Sequence, residues 1–298
     1  MGDRLTVLVT GATGFVGRRL VPALVAEGHV VRAMTRRPAA YDGPGEPCAG
    51  DVADAASLVE PLRGVDVAFY LVHSLDSDDF ERRDAEAARN FGTAAAAAGV
   101  RQIVYLGGLG ADSDDLSAHL RSRREVEGLL GHAGVPVTVL RAAIVVGSGG
   151  ISWELTRQLV KNLPAMVVPR WALTRTQPIA IDDVVRYLVG VVDRPEARGR
   201  VFEVGGPKAL TYREMLTVAA EVATGRRVLV VPVPVLTPRL SSYWLALVTD
   251  VDVTTGRHLI DSMVTEVVVT DHAIQEVVPG EPVPYREAVL RALADDPA

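Results

Sequence analysis

Residues 10–20 read TGATGFVGRRL, and Gly11, Gly14 and Gly17 carry the spacing G-x-x-G-x-x-G. The chemistry this pattern serves is capture of a pyrophosphate. The first glycine permits a tight turn off a strand, the second lets backbone approach the phosphates, and the third allows close packing of the following helix. Free N–H groups and the dipole at the N-terminus of that helix favour the negative charge. Three glycines alone are a weak signal, but here they follow the apolar run 5–10 and open a helical pattern. The loop therefore assigns Gly11, Thr13, Gly14, Phe15, Val16 and Gly17 to a dinucleotide.

The end of the second strand selects between dinucleotides. An acid there suits the ribose 2′-hydroxyl of NAD, whereas an arginine suits the 2′-phosphate of NADP. The chain has Thr35, Arg36 and Arg37 at that point and no acid. Arginine pairs with phosphate through two parallel hydrogen bonds. NADP(H) is the expected cofactor, with Arg36 its first ligand and Arg37 beside it.

The elements that position these residues alternate. Apolar β-branched runs at 5–10, 29–35, 48–52, 66–72, 101–108 and 136–142 predict six strands. Helical patterns at 15–27, 57–64, 84–98 and 121–132 lie between them. This β-α-β order predicts an α/β fold, a doubly wound parallel sheet with right-handed crossovers. Residues 1–150 form the expected Rossmann domain. After Gly147 the rhythm changes to segments rich in Trp, Pro and Arg. Residues 177–206 look like a strand and helix returning to the sheet, with Asp182 as helix cap and Asp183 beside it. Thr211 and Glu214 form a Thr-x-x-Glu capping box. Residues 151–176 and 207–298 are read as an interleaved substrate lobe.

These motifs bring a resemblance with them. TGATGFVG, the GDV at 50–52 and IVYLGGLG at 103–110 resemble the atypical, NmrA-like and extended-type branch of the short-chain dehydrogenase/reductase superfamily. YLVHS at 70–74, HLRSR at 119–123 and QPIAIDDV at 177–184 resemble one bacterial subgroup of it, in order over about the first 270 residues. The resemblance implies that Asp51 and Val52 lie near the adenine. It also implies that Leu71, Val72 and His73 line the ribose and nicotinamide side, with Gly107 and Ala142 completing the cofactor set.

The same alignment exposes a departure. Typical members carry a serine after strand five and a Tyr-x-x-x-Lys pair on the next helix. Here Gly107 and Gly108 stand where the serine would, His119 at the tyrosine position and Arg123 at the lysine position. His119 could deliver a proton, since its ordinary pKa is near 6.5; it could equally cap its helix. Arg123 could stabilise charge or hold the ribose, and His73 lies at the ligand-binding edge of the sheet. The substrate's own hydroxyl is a further proton source. Trp153, Trp171, Tyr243 and Trp244 could wall a flat aromatic substrate or fill a core.

The leading expectation is a ketoreductase that uses NADPH on a bulky, aromatic polyketide-like carbonyl compound of secondary metabolism or antibiotic biosynthesis. A non-catalytic NADP(H) sensor and an epimerase with tightly held NADP are the alternatives. Composition narrows the partners. The chain has 298 residues, 48% of them hydrophobic, and a net charge of −6 without a basic stripe, which argues against nucleic acid. No apolar run is long enough to span a bilayer. The single cysteine, Cys48, excludes an internal disulfide or a multi-cysteine metal site. A cytoplasmic monomer or homodimer acting on a small molecule, without a bound metal, is expected.

Overall fold

The structure is a computed structural model and describes residues 4–74, 79–110, 116–163, 165–226, 229–233 and 263–296. Its strands are β1 (Thr6–Val9), β2 (Val30–Thr35), β3 (Glu46–Ala49), β4 (Val67–Tyr70), β5 (Gln102–Gly108), β6 (Val137–Ala142), β7 (Val145–Val146), β8 (Ala165–Pro169), β9 (Arg175–Thr176), β10 (Ile179–Ala180), β11 (Val201–Val204), β12 (Leu210–Thr211) and β13 (Leu229–Val233). Its α-helices are α1 (Gly17–Ala26), α2 (Val59–Leu62), α3 (Phe80–Ala97), α4 (Ala118–Gly131), α5 (Ile151–Asn162), α6 (Ile181–Gly190), α7 (Tyr212–Thr224), α8 (Ile274–Val277) and α9 (Tyr285–Ala294).

Seven strands form one sheet in the order β11-β6-β5-β4-β1-β2-β3, every pair parallel. Both faces must be covered, which is why these strands are apolar runs rather than alternating ones. On one face, Leu8, Tyr70, Phe91, Tyr105 and Leu130 pack the sheet against α3 and α4. On the other, Leu20, Leu24, Phe69, Val104, Tyr187 and Phe202 pack it against α1 and α6. The order reverses at β1, whose neighbours are β2 and β4. The crevice beyond the carboxyl ends of β1 and β4 is therefore where a ligand fits. Buried Thr10 fastens it: the Thr10 N–H donates to the Phe69 carbonyl and its Oγ1 accepts the Leu71 N–H, both at 3.0 Å.

The later chain is shared between two cores. β11 joins the sheet beside β6, and Ile274 and Val278 belong to the core under α1 and α6. Helices α5, α7 and α9 build a second core around Trp153, Tyr212, Met215 and Tyr285. Thr211 and Glu214 form the capping box: the Thr211 N–H donates to Glu214 Oε2 at 2.7 Å, and the Glu214 N–H donates to Thr211 Oγ1 at 3.1 Å.

Two expectations are corrected. Asp182 is not the cap of α6; Ala180 takes that place without a side-chain bond. Asp182 instead pairs with Arg291 on α9 at 2.9 Å, and buried Asp183 accepts the Val283 N–H at 2.7 Å. The acids are used to join α6 to the chain around α9. The third strand ends at Ala49, ahead of Asp51, because Asp51 folds into a turn: its Oδ1 accepts the Ala53 N–H and its own N–H donates to Ser57 Oγ. Trp153 is buried, and Trp171 meets Tyr212 edge-on with centroids 5.8 Å apart, so both serve the second core. Tyr243 and Trp244 lie outside the described residues.

Candidate active site

The loop between β1 and α1 takes its shape from its glycines. Gly11 has φ +62°, and a Cβ there would stand 3.0 Å from the Leu71 carbonyl oxygen. A Cβ on Gly17 would lie 2.2 Å from the Gly11 carbonyl oxygen and 2.8 Å from the Ala12 Cα. Gly17 is thus required by the loop folding onto itself, rather than by contact with the sheet. The Gly14 N–H closes the turn onto the Gly11 carbonyl at 2.9 Å. Helix α1 has no side-chain cap and no acid in its first turn, so its N-terminal N–H groups and dipole face the loop uncompensated. This cradle fits a dinucleotide pyrophosphate.

A groove runs to either side of the loop. The outer cavity, of about 460 Å³, is bounded by Gly11, Thr13, Arg36, Asp51, Val52, Val72 and His73. The inner cavity, of about 290 Å³, is bounded by Gly11, Gly14, Phe15, Val16, Gly17, Leu71, His73, Gly107, His119, Arg123 and Ala142. Gly11 and His73 belong to both. Of the residues the sequence selected, Arg37 alone lines neither cavity. Its N–H turns back to Thr35 Oγ1 at 3.2 Å, and a 3₁₀ turn beginning at Pro38 leads the chain away.

The outer cavity also contains residues that sequence reasoning missed. Arg82, Arg83 and Glu86 reach it from α3. Asn90, one turn further on, donates to the Val52 and Ala53 carbonyls at 3.2 and 3.4 Å and ties α3 to the loop after β3. The recurrence 83, 86, 87, 90 on one helix face was the available signal.

The inner cavity gathers the unusual residues. Ser117 caps α4 by accepting the Leu120 N–H at 3.3 Å, so His119 is not needed as a cap. His119 and Arg123, one turn apart, both face the cavity. The place of a serine is crowded: a Cβ on Gly108 would meet the end of the Leu120 side chain at 2.8 Å, and one on Gly107 would meet Glu127 Oε1 at 3.0 Å, so a side chain there requires those ends to shift. Below Gly107, Glu127 is locked to Arg141 at 2.7 Å.

Charge in this region centres on Arg123. Its guanidinium acts on Tyr70, His73, Asp84 and Tyr105. Desolvation at the groove, assisted by the Arg123 charge, lowers the His73 pKa, although the side chain keeps an exposed edge. Asp84 is buried and accepts hydrogen bonds from Ser74; burial raises its pKa, while Arg123 and Ser74 act in the opposite direction. Burial also raises the phenols of Tyr70 and Tyr105, so neither is a ready proton donor. Among the described residues no group of three or more His, Cys, Asp or Glu could hold a metal ion. No helix among them is long and apolar enough to cross a membrane.

Comparison with known proteins gives independent findings. The family profile described as NAD(P)H-binding matches residues 11–176. A (4-alkanoyl-5-oxo-2,5-dihydrofuran-3-yl)methyl phosphate reductase of Streptomyces griseus is 34% identical over 220 residues, 70% of this chain and 70% of its own length. A ceramide reductase of Caulobacter vibrioides is 29% identical over 202 residues, 64% of this chain and 62% of its own length. The crystal structure of Citrobacter sp. triphenylmethane reductase complexed with NADP(H) shares the fold, with a TM-score of 0.79 at 18% identity over 96% of this chain and 99% of that one.

Proposed function

The chain belongs to the NAD(P)H-binding family, in its atypical short-chain dehydrogenase/reductase branch, and on that premise we propose that it is an NADPH-dependent reductase of a bulky carbonyl compound, a ketoreductase for flat, polyketide-like substrates. The observation that carries this reading is the groove itself. One cavity presents Arg36 beyond the glycine loop, and the adjoining cavity presents His119 and Arg123 beside apolar walls. When bound, NADPH supplies a hydride to the carbonyl carbon.

The chain's own residues do the remainder. The loop 11–17 and the N-terminus of α1 hold the pyrophosphate, and Arg36 holds the 2′-phosphate. Leu71, Leu106, Ala142 and Val145 exclude water from the inner cavity. The Arg123 guanidinium stabilises the developing oxyanion. His119 delivers the proton that completes the alcohol. Neutral His73 acts as a hydrogen-bonding wall and not as an acid. The start of α5, through Ile151 and Ser152, brings the second lobe to the substrate side. The Streptomyces relative, named as a reductase of an oxo-dihydrofuran phosphate, supports a place in secondary metabolism.

The test is to incubate the purified protein with NADPH and a panel of polycyclic aromatic ketones and quinones. Loss of the reduced nicotinamide absorbance, with a protein-dependent gain of two hydrogens in the product mass, is the expected result. A second reading, a non-catalytic NADP(H) sensor, is favoured by glycines at 107 and 108, which supply no hydroxyl to the inner cavity. Tight NADPH binding without oxidation across the panel would support the sensor.

A further inference from the structure

The outer cavity has two walls of separate origin. One consists of the strand ends: Thr35 closing β2, Arg36 just beyond it, and Asp51 after β3. The other is the face of α3 that carries residues 83, 86, 87 and 90. Asn90 sets the spacing between the walls through its bonds to Val52 and Ala53. The charges on these walls are not equally available. Arg82 is committed to Asp79 at 2.5 Å and reaches Glu86 at 3.5 Å, so Glu86 is matched from its own helix. The Asp51 carboxylate accepts the Ala53 N–H. Arg36 and Arg83 are exposed and line the cavity, and neither has a side-chain hydrogen bond or salt bridge among the described residues.

We infer that Arg83 on α3 is a second ligand for the phosphate held by Arg36, so that the 2′-phosphate of NADP(H) is clamped between arginines from opposite walls. This rests on the NADP(H) reading above and adds a residue from another part of the chain. A phosphate monoester carries about −1.5 to −2 charges at neutral pH, which two guanidinium groups match and one does not. Without the phosphate the two arginines line one cavity with no hydrogen-bonded anion among the described residues, Arg83 keeping only the through-space attraction of Asp79 and Asp84. The clamp therefore discriminates for NADP(H) by attraction to a phosphate that NAD(H) lacks.

The experiment compares calorimetric affinities for adenosine 2′,5′-bisphosphate and adenosine 5′-monophosphate, which isolates the 2′-phosphate. The wild-type protein is expected to prefer the bisphosphate. Arg83→Gln should lower that preference by at least about tenfold and leave the monophosphate within about twofold. Arg83→Lys should recover part of the loss. Arg82→Gln should cost less than about threefold, because Arg82 is held by its own helix. Arg83 is exposed, so these variants should keep the wild-type melting temperature. An Arg83→Gln protein with the wild-type preference, alongside an Arg36→Gln protein that has lost it, overturns the clamp alone. A wild-type protein without preference overturns the NADP(H) reading and the clamp with it.

Discussion

The two ends of the groove follow different rules. At the outer end, backbone carries most of the work: glycines set the loop, Thr10 and Asn90 hold the flanking segments by hydrogen bonds, and Arg36 at a strand end lines the cavity. At the inner end the side chains of one helix, rather than backbone, present the groups that could do chemistry. His119 and Arg123, one turn apart on α4, line the inner cavity beside Gly107 and Gly108. The lesson is that cofactor binding tolerates little change because it depends on close backbone approach. Chemistry can be rebuilt, because a proton donor or a fixed charge can come from several residue types.

That contrast can be broken by substitutions at either end. The largest effect is expected from Gly17→Ala. Its Cβ cannot be placed beside the Gly11 carbonyl, so NADPH binding should be lost by calorimetry, with destabilisation of about 1–3 kcal/mol in urea melts. Retained binding would mean that the loop is more yielding than its geometry indicates. His119→Phe comes next: kcat should fall by about 10²–10⁴-fold while the NADPH Kd is unchanged. An unaltered kcat would move the proton's origin to substrate or water and leave the inner end without a catalytic acid. Arg36→Ala should raise the KM for NADPH at least about tenfold and that for NADH hardly at all; equal changes would remove the basis for cofactor choice.

Smaller effects sharpen the picture. Asn90→Ala removes the bonds that hold α3 to the loop after β3, and should cost about 1 kcal/mol of stability in urea. His73→Asn should leave the pH–rate profile unchanged between pH 5 and 8, because a histidine with a pKa near 3 does not titrate there. Its effect belongs to acid stability. A lowered histidine pKa contributes stability above the ordinary value of 6.5 that is lost as pH falls toward about 3. The His73→Asn protein should therefore melt with less dependence on pH in that window, and an unchanged acid slope would contradict a lowered His73 pKa.

How much of this was legible depended on the range of the interaction. Strand β1, the glycine loop and α1 are contiguous, and the requirement at each position is local: positive φ at Gly11, missing Cβ atoms at Gly11 and Gly17. The capping box at Thr211 was equally readable, since both partners lie within one turn. The alternation of apolar runs and helical patterns determined a doubly wound parallel sheet, because a strand buried on both faces and a crossover helix leave distinct periods in the sequence. Which residues share a cavity is a different kind of fact. Arg37 is next to Arg36 in sequence yet turns away, while Arg83, 47 positions along the chain from Arg36, stands in the same cavity. Asp182 has the position and chemistry of a cap, yet bonds to a helix more than 100 residues later. A side chain's partners follow from how elements pack, and packing is set by the whole core. The sequence by itself determined the elements and the phosphate loop. Only the tertiary structure decided which charged groups meet, because the energy of a charge depends on neighbours that lie far away along the chain.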